Sequence, residues 1–286
     1  MKRLILLTIL IFSQLACAQA LRLSYNLKYK VDSTATDFKI LKTVLDIHEG
    51  HTLYFEERAI ATDSLNKSKP LTTSTYTSPI AKLKRKTGDF VNMNYYRSSM
   101  DYFKFKTQDK IDWKFLPDTK QHGEWLVQKA TCNFGGRTWE AWFAKDFPFN
   151  EGPYKFTGLP GIITEIRDTK NNYSWELESV KKPGNFNPNL LETVFKQLPL
   201  EITESKYKEI LLNDYRDPFV RFKILGEGNW IFETKDGKEV STNEELKRMT
   251  PETQAEIRKN YNPIELDKAV DYEGITKKPS RKPMRK

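Results

Sequence analysis

From residue 21 to residue 180 the chain is built of short extended segments broken by polar turns, and that spacing confines it to a β architecture more than any other feature does. Residues 21–31 set the pattern: Leu21, Leu23, Tyr25, Leu27, Tyr29 and Val31 point one way, and Arg22, Ser24, Asn26, Lys28 and Lys30 the other. A period of two describes a strand with one wet face. Phe38 to Asp46 and Thr52 to Arg58 read as arms of a hairpin turned at His48-Glu49-Gly50-His51. Residues 61–77, rich in Ser, Thr and Lys, read as a loop. Further strands are predicted near 79–86, 89–97 and 102–106, at Ile111 to Leu116, Glu124 to Phe134 and Arg137 to Ala144. A last hairpin joins Ile162 to Arg167 with Tyr173 to Val180. Such a series predicts a mainly β fold, an antiparallel meander curled into an open barrel or bowl.

The pattern changes at Lys181-Lys182-Pro183-Gly184. Beyond it a smaller α+β C-terminal part is predicted. Thr203 can cap a helix from Glu204 to about Tyr215. Phe219 to Leu225 and Asn229 to Thr234 read as a second small hairpin. Thr242 with Glu245 forms a possible capping box, and Thr250-Pro251 starts a further helical segment. The chain therefore divides into a β domain over 19–182, a C-terminal extension over 183–266 that ends at Asn262-Pro263-Ile264-Glu265-Leu266, and a disordered basic tail over 267–286.

Residues 1–18 read as a signal peptide. Lys2 and Arg3 precede an apolar run from Leu4 to Phe12, and Ala16-Cys17-Ala18 suits signal-peptidase cleavage. The mature chain then begins at Gln19 in the periplasm or outside the cell. Lipid anchoring at Cys17 is disfavoured, because Leu15 stands one place too close to it for a lipoprotein signal. No apolar segment is long enough to span a bilayer. Cleavage leaves Cys132 alone, and a lone thiol in an oxidising compartment reads as a small buried hydrophobe. The formal charge of +9 invites a nucleic-acid reading. However, two of the cations leave with the signal peptide and six crowd into the last ten residues, so the body is close to neutral. Nucleic acid is not an expected partner.

Nothing in the sequence announces catalysis, a cofactor or a metal. His48 and His51 flank a turn glycine and have no third ligand at useful spacing. A nucleophile elbow is absent, and paired carboxylates such as Glu56-Glu57 are adjacent and diverge. The most pointed residues are Trp139 and Trp142, which an extended backbone places on opposite faces. A strand covered on both sides would bury both as core. Alternatively, one indole lines a ligand-binding surface, with Arg137 either holding an anion or pairing with Asp168 or Glu165.

Just downstream runs Gly152-Pro153-Tyr154-Lys155-Phe156-Thr157-Gly158-Leu159-Pro160-Gly161-Ile162-Ile163. Pro160 and Gly161 suit the centre of a type II turn. Gly152, Pro153, Gly158, Leu159, Pro160 and Gly161 therefore read as a structural motif. Together with the Trp139/Trp142 strand, this segment resembles the GLPGLI family of Bacteroidetes. That resemblance implies an exported protein from bacteria that rely on TonB-dependent outer-membrane receptors. The family is also similar to the non-catalytic, bowl-shaped N-terminal domain of type II peptide-N-glycosidase F, which implies a curved sheet with a concavity and no amidase chemistry. The expected function is an exported binding or accessory protein of the cell envelope, its partner an envelope protein, a glycan or a TonB-dependent receptor system. The alternative is an envelope hydrolase acting on glycoprotein or peptidoglycan fragments, which would need carboxylates, or a carboxylate and His122, to converge in one cleft.

Overall fold

The computed structural model describes residues 20–274 apart from Pro70, Thr72, Thr77, Ser99, Met100, Asn185, Lys235 and Glu273. The proposed signal peptide and the last part of the basic tail lie outside the described residues. Twelve strands form one sheet made of two meanders. The first runs through β1 (Leu21–Tyr29), β2 (Lys39–His48), β3 (His51–Glu56), β4 (Lys82–Lys86), β5 (Val91–Ser98) and β6 (Asp101–Gln108). The second runs through β7 (Lys114–His122), β8 (Trp125–Phe134), β9 (Arg137–Ala144), β10 (Ile162–Asp168) and β11 (Tyr173–Lys181). The last strand of the second meander pairs antiparallel with the first strand of the first, Leu27 opposite Trp175. Beyond β6 lies β12 (Leu200–Glu201), parallel to it.

The sheet is open, which corrects the expected barrel or bowl. Its order ends at β12 on one side and β7 on the other, and these two do not pair. Neither edge is built for closure. β12 is two residues long. β7 contains Pro117, which lacks an N–H, and its pairing with β8 is irregular between Phe115 and Thr119.

The two faces of the sheet differ. One carries the main core, with Tyr25, Tyr54, Trp139, Phe143 and Trp175 essentially inaccessible. Between β9 and β10, residues 145–161 fold over this face, and Tyr154, Phe156 and Leu159 are buried in the same core. The opposite face is covered at β2–β6 by α1 (Arg58–Ser68) and α2 (Leu190–Thr193), which bury Val44, Phe55 and Tyr102 with Leu191 and Phe195. Thus residues 61–68, read from the sequence as the start of a loop, are helical, and Arg58, read as the end of a strand arm, opens the helix. Polar composition misled there, because this short helix buries Ala59, Asp63 and Asn66 and packs on little apolar surface of its own.

In the C-terminal part, Thr203 caps α3 (Glu204–Arg216) by accepting from the Lys206 N–H. Val220–Leu225 is a helix, α4, instead of a hairpin arm. The small hairpin is β13 (Phe232–Glu233) with β14 (Glu239–Val240). Thr242 and Glu245 form the capping box of α5 (Asn243–Lys259), which continues through Pro251 where a new helix was expected. The packed chain also runs past Leu266: a 3-10 turn covers Leu266–Lys268, and Val270 and Tyr272 are buried.

Candidate functional site

The 145–161 segment brings charge into the core. Glu151 is inaccessible, accepts from Gly88 N (2.7 Å) and pairs with the equally buried Arg85. Arg85 also donates to the carbonyls of Tyr154 (2.7 Å) and Gly152 (3.2 Å) and to Asn92 Oδ1 (3.3 Å). One guanidinium thus ties this crossing segment to β4 and β5 through nearly all its donors. Glycine is required in two places. A Cβ on Gly152 would lie 2.7 Å from Phe156 O, and one on Gly161, whose φ is +136°, would lie 1.9 Å from Ala144 O.

Three residues on, Lys155 meets the C-terminal segment. Its ammonium lies 3.1 Å from Asp109 Oδ1 and 2.7 Å from Glu265 Oε1. Lys268 closes the cluster, 2.9 Å from Asp109 and 2.8 Å from Glu265, and Tyr154 donates its hydroxyl to Glu265. Burial opposes charge on Asp109 and Glu265. The field of Lys155, reinforced by Lys268, outweighs it, and both carboxyls sit below their ordinary range.

Residues 260–268 form a strap across this face, and Arg137 fastens it. The guanidinium donates to the carbonyls of Ile264 (3.0 Å) and Pro263 (2.7 Å) and to Asn262 Oδ1 (2.7 Å), and it pairs with Asp168 at 3.2 Å. Leu266 N donates to Gly135 O at 2.6 Å. Of the two roles the sequence left open for Arg137, the geometry is that of pairing with Asp168.

Between the sheet, the strap and α3 lies a cavity of about 310 Å3. Tyr29 and Tyr173 come from the sheet, Tyr154 and Lys155 from the crossing segment, Tyr261 from the strap. On α3, Glu204, Tyr207, Lys208 and Leu211 face inward at helical spacing. Phe105 stacks on Tyr207 with ring centroids 4.4 Å apart. This size, with aromatic walls and charged groups converging on them, suits a small polar molecule. The Tyr207 hydroxyl and the Lys208 ammonium have no hydrogen-bond or ionic partner among the described residues.

The residues singled out from sequence lie elsewhere. Trp139 is inaccessible, its indole N–H donating to Phe134 O, and it packs on Phe156 and Trp175. Trp142 is on the other face, opposite Lys129 and Glu165. The Lys120 ammonium caps its ring at 4.5 Å. Trp142 is only partly buried, so the expectation that both indoles are core holds for Trp139 and not for Trp142. His122 does meet a carboxylate, Glu165, at 2.8 Å, but Lys120 also holds Glu165 at 2.6 Å. Among the described residues no group of three or more His, Cys, Asp or Glu side chains could hold a metal ion. Cys132 is buried, and burial pushes its thiol up to about 12.

Sequence reasoning missed Tyr154, Lys155, Tyr207 and Glu265. One signal was present: Glu151, Lys155 and Glu265 are charges set inside apolar and turn residues, where charge is costly unless partnered.

A family model described as a protein of unknown function, Porph_ging, matches residues 135–165, which carry β9, the crossing segment and the start of β10. The motif thus leads to a family without an assigned activity. No curated protein matches the chain. Two crystal forms of PNGF-II are similar in structure. The C2 form has a TM-score of 0.51 at 17% identity over 68% of this chain. The P21 form has a TM-score of 0.50 at 16% identity over 68% of it. Each match spans 33% of the PNGF-II chain. At such identities the likeness is one of fold.

Proposed function

We propose that this protein is an exported binding or accessory protein of the cell envelope, periplasmic or secreted, that takes a small ligand into the cavity between the sheet, α3 and the strap. The observation that carries this reading is the cavity itself, with aromatic walls on three sides and hydrogen-bonding groups that no described residue uses. The fold likeness to a third of PNGF-II is compatible with a module that binds without performing its own chemistry.

The hydrolase alternative has less support. The carboxylates beside the cavity, Asp109 and Glu265, are each held by two lysines and lie below the ordinary range. A general acid needs the opposite shift, and a carboxylate locked in ion pairs is a poor base. Among the described residues no helix is long and apolar enough to cross a membrane.

Native mass spectrometry of the protein recovered from its own envelope tests the reading. A chain beginning at Gln19 with a bound small molecule, lost in a Leu211→Trp variant that fills the cavity, is the expected result. An acylated Cys17 would overturn the free, unanchored state. Ligand retained equally by Leu211→Trp would place binding elsewhere.

A further inference from the structure

The cavity's ligand has a definable chemistry, and this step rests on the cavity being the binding site. Its wall is tyrosine-rich: Tyr29, Tyr154, Tyr173, Tyr207 and Tyr261 all contribute. Tyrosine offers a flat apolar face and a polar edge together. A pyranose ring presents the matching pair, a face of C–H groups and a rim of hydroxyls, whereas a lipid chain would leave the hydroxyl edges unmatched. Three hydroxyls are already engaged: Tyr154 donates to Glu265, Tyr173 donates to the Asn262 carbonyl, and Tyr261 accepts from the Val270 N–H. The hydroxyls of Tyr29 and Tyr207 have no partner among the described residues.

Charge narrows the class. Lys30, Lys155, Lys208 and Lys268 line the cavity against Glu204 and Glu265. Asp109, behind Lys155, makes a third carboxylate, so ammonium groups still exceed carboxylates by one. Glu204 and Glu265 both lie by Lys268, at 3.8 and 2.8 Å, and Lys155 serves Glu265 and Asp109. Lys30 sets its ammonium over the Phe38 ring at 5.2 Å, which leaves Lys208, one turn along α3 from Glu204. The unused groups are therefore two hydroxyls and one ammonium, and they come from two walls, Tyr29 from the sheet and Tyr207 and Lys208 from α3. Phosphate sites instead gather backbone N–H groups into one concavity. We infer that the cavity binds an acidic saccharide, its ring against the tyrosines and its carboxylate at Lys208.

Calorimetric titration of the mature chain with β-glucuronyl-1,4-glucose and with cellobiose, which differ at the carboxylate, tests this. The expected result is at least tenfold tighter binding of the acidic disaccharide, with that preference lost in Lys208→Met, whose substitution lies on an already formed helix face. Equal affinity for the two sugars in the wild type would overturn the acidic class while leaving the cavity reading intact. Binding of neither would overturn the saccharide class. Acid-selective binding that persists unchanged in Leu211→Trp would overturn the cavity reading itself.

Discussion

The ammonium of Lys155 lies 2.7 Å from the carboxylate of Glu265, and through this pair the segment between β9 and β10 is bonded to a strap 110 residues further along the chain. Both side chains are nearly inaccessible, 3% and 9% exposed. Removing one partner of a buried pair leaves the other uncompensated. Lys155→Met should cost about 3 kcal/mol, read from the urea midpoint at neutral pH, with Lys268 absorbing part of the loss. An unchanged midpoint would mean that this pair adds nothing net to the other contacts that hold the strap.

The same cluster sets an acid limit. Asp109 and Glu265 are held below their ordinary range in the fold, so below about pH 4.5 the unfolded chain binds more protons than the folded one. Their contribution is complete above that pH and is lost as the pH falls through the lowered folded values. Lys155→Met should flatten the acid limb of a stability–pH curve. A limb with the wild-type slope would assign acid unfolding to other carboxylates.

Gly161 and Gly158 should respond differently to the same added methyl. Both have positive φ, +136° and +97°. A Cβ on Gly158 meets nothing nearer than Trp113 at 3.9 Å, so Gly158→Ala carries backbone strain alone, about 1–3 kcal/mol. Gly161→Ala adds a collision with the Ala144 carbonyl and should cost more than that, enough to prevent folding in a marginally stable chain. Equal melting temperatures for the two variants would refute the close approach of β9 and β10 at this point.

Much of the sheet was legible because its strands obey the period of two. Arg137–Ala144 was read to the residue, and Glu49 and Gly50, both with positive φ, make the tight turn expected between β2 and β3. What alternation does not encode is which strands end up as edges. The pairing of β1 with β11, and the failure of β7 and β12 to meet, depend on contacts across the whole chain. The candidate site was hidden for the same reason. Lys155, Tyr207 and Glu265 lie far apart in sequence, and no local pattern brings them to one cavity, whereas Trp139 and Trp142 drew notice through residue type alone.

Those two tryptophans should separate cleanly. Trp139→Ala removes an inaccessible indole from the main core and should cost about 3–5 kcal/mol. Trp142→Ala removes a partly buried ring capped by Lys120 on the uncovered face and should cost about 1 kcal/mol. Thermal unfolding of both variants decides it. A larger loss at Trp142 would mean that another layer covers that face.

Lys82 provides the sharpest pH test. Its side chain is 2% exposed, and its ammonium lies 5.1 Å and 5.4 Å over the rings of Tyr76 and Phe195. Burial pulls its pKa down to about 8, with the nearby charge of Glu56 only partly opposing. Between that value and the ordinary lysine value, near 10.4, the unfolded chain holds a proton that the folded chain lacks, so stability should rise with pH across this window. Lys82→Met removes the burden of a buried charge and should stabilise the protein at pH 7 by about 1–3 kcal/mol. The gain should shrink through pH 8–10 and vanish above it. Denaturant midpoints for both proteins at pH 7, 9 and 10.5 read this directly. A destabilised variant at pH 7 would instead mean that the two aromatic rings and Glu56 stabilise the ammonium by more than its burial costs.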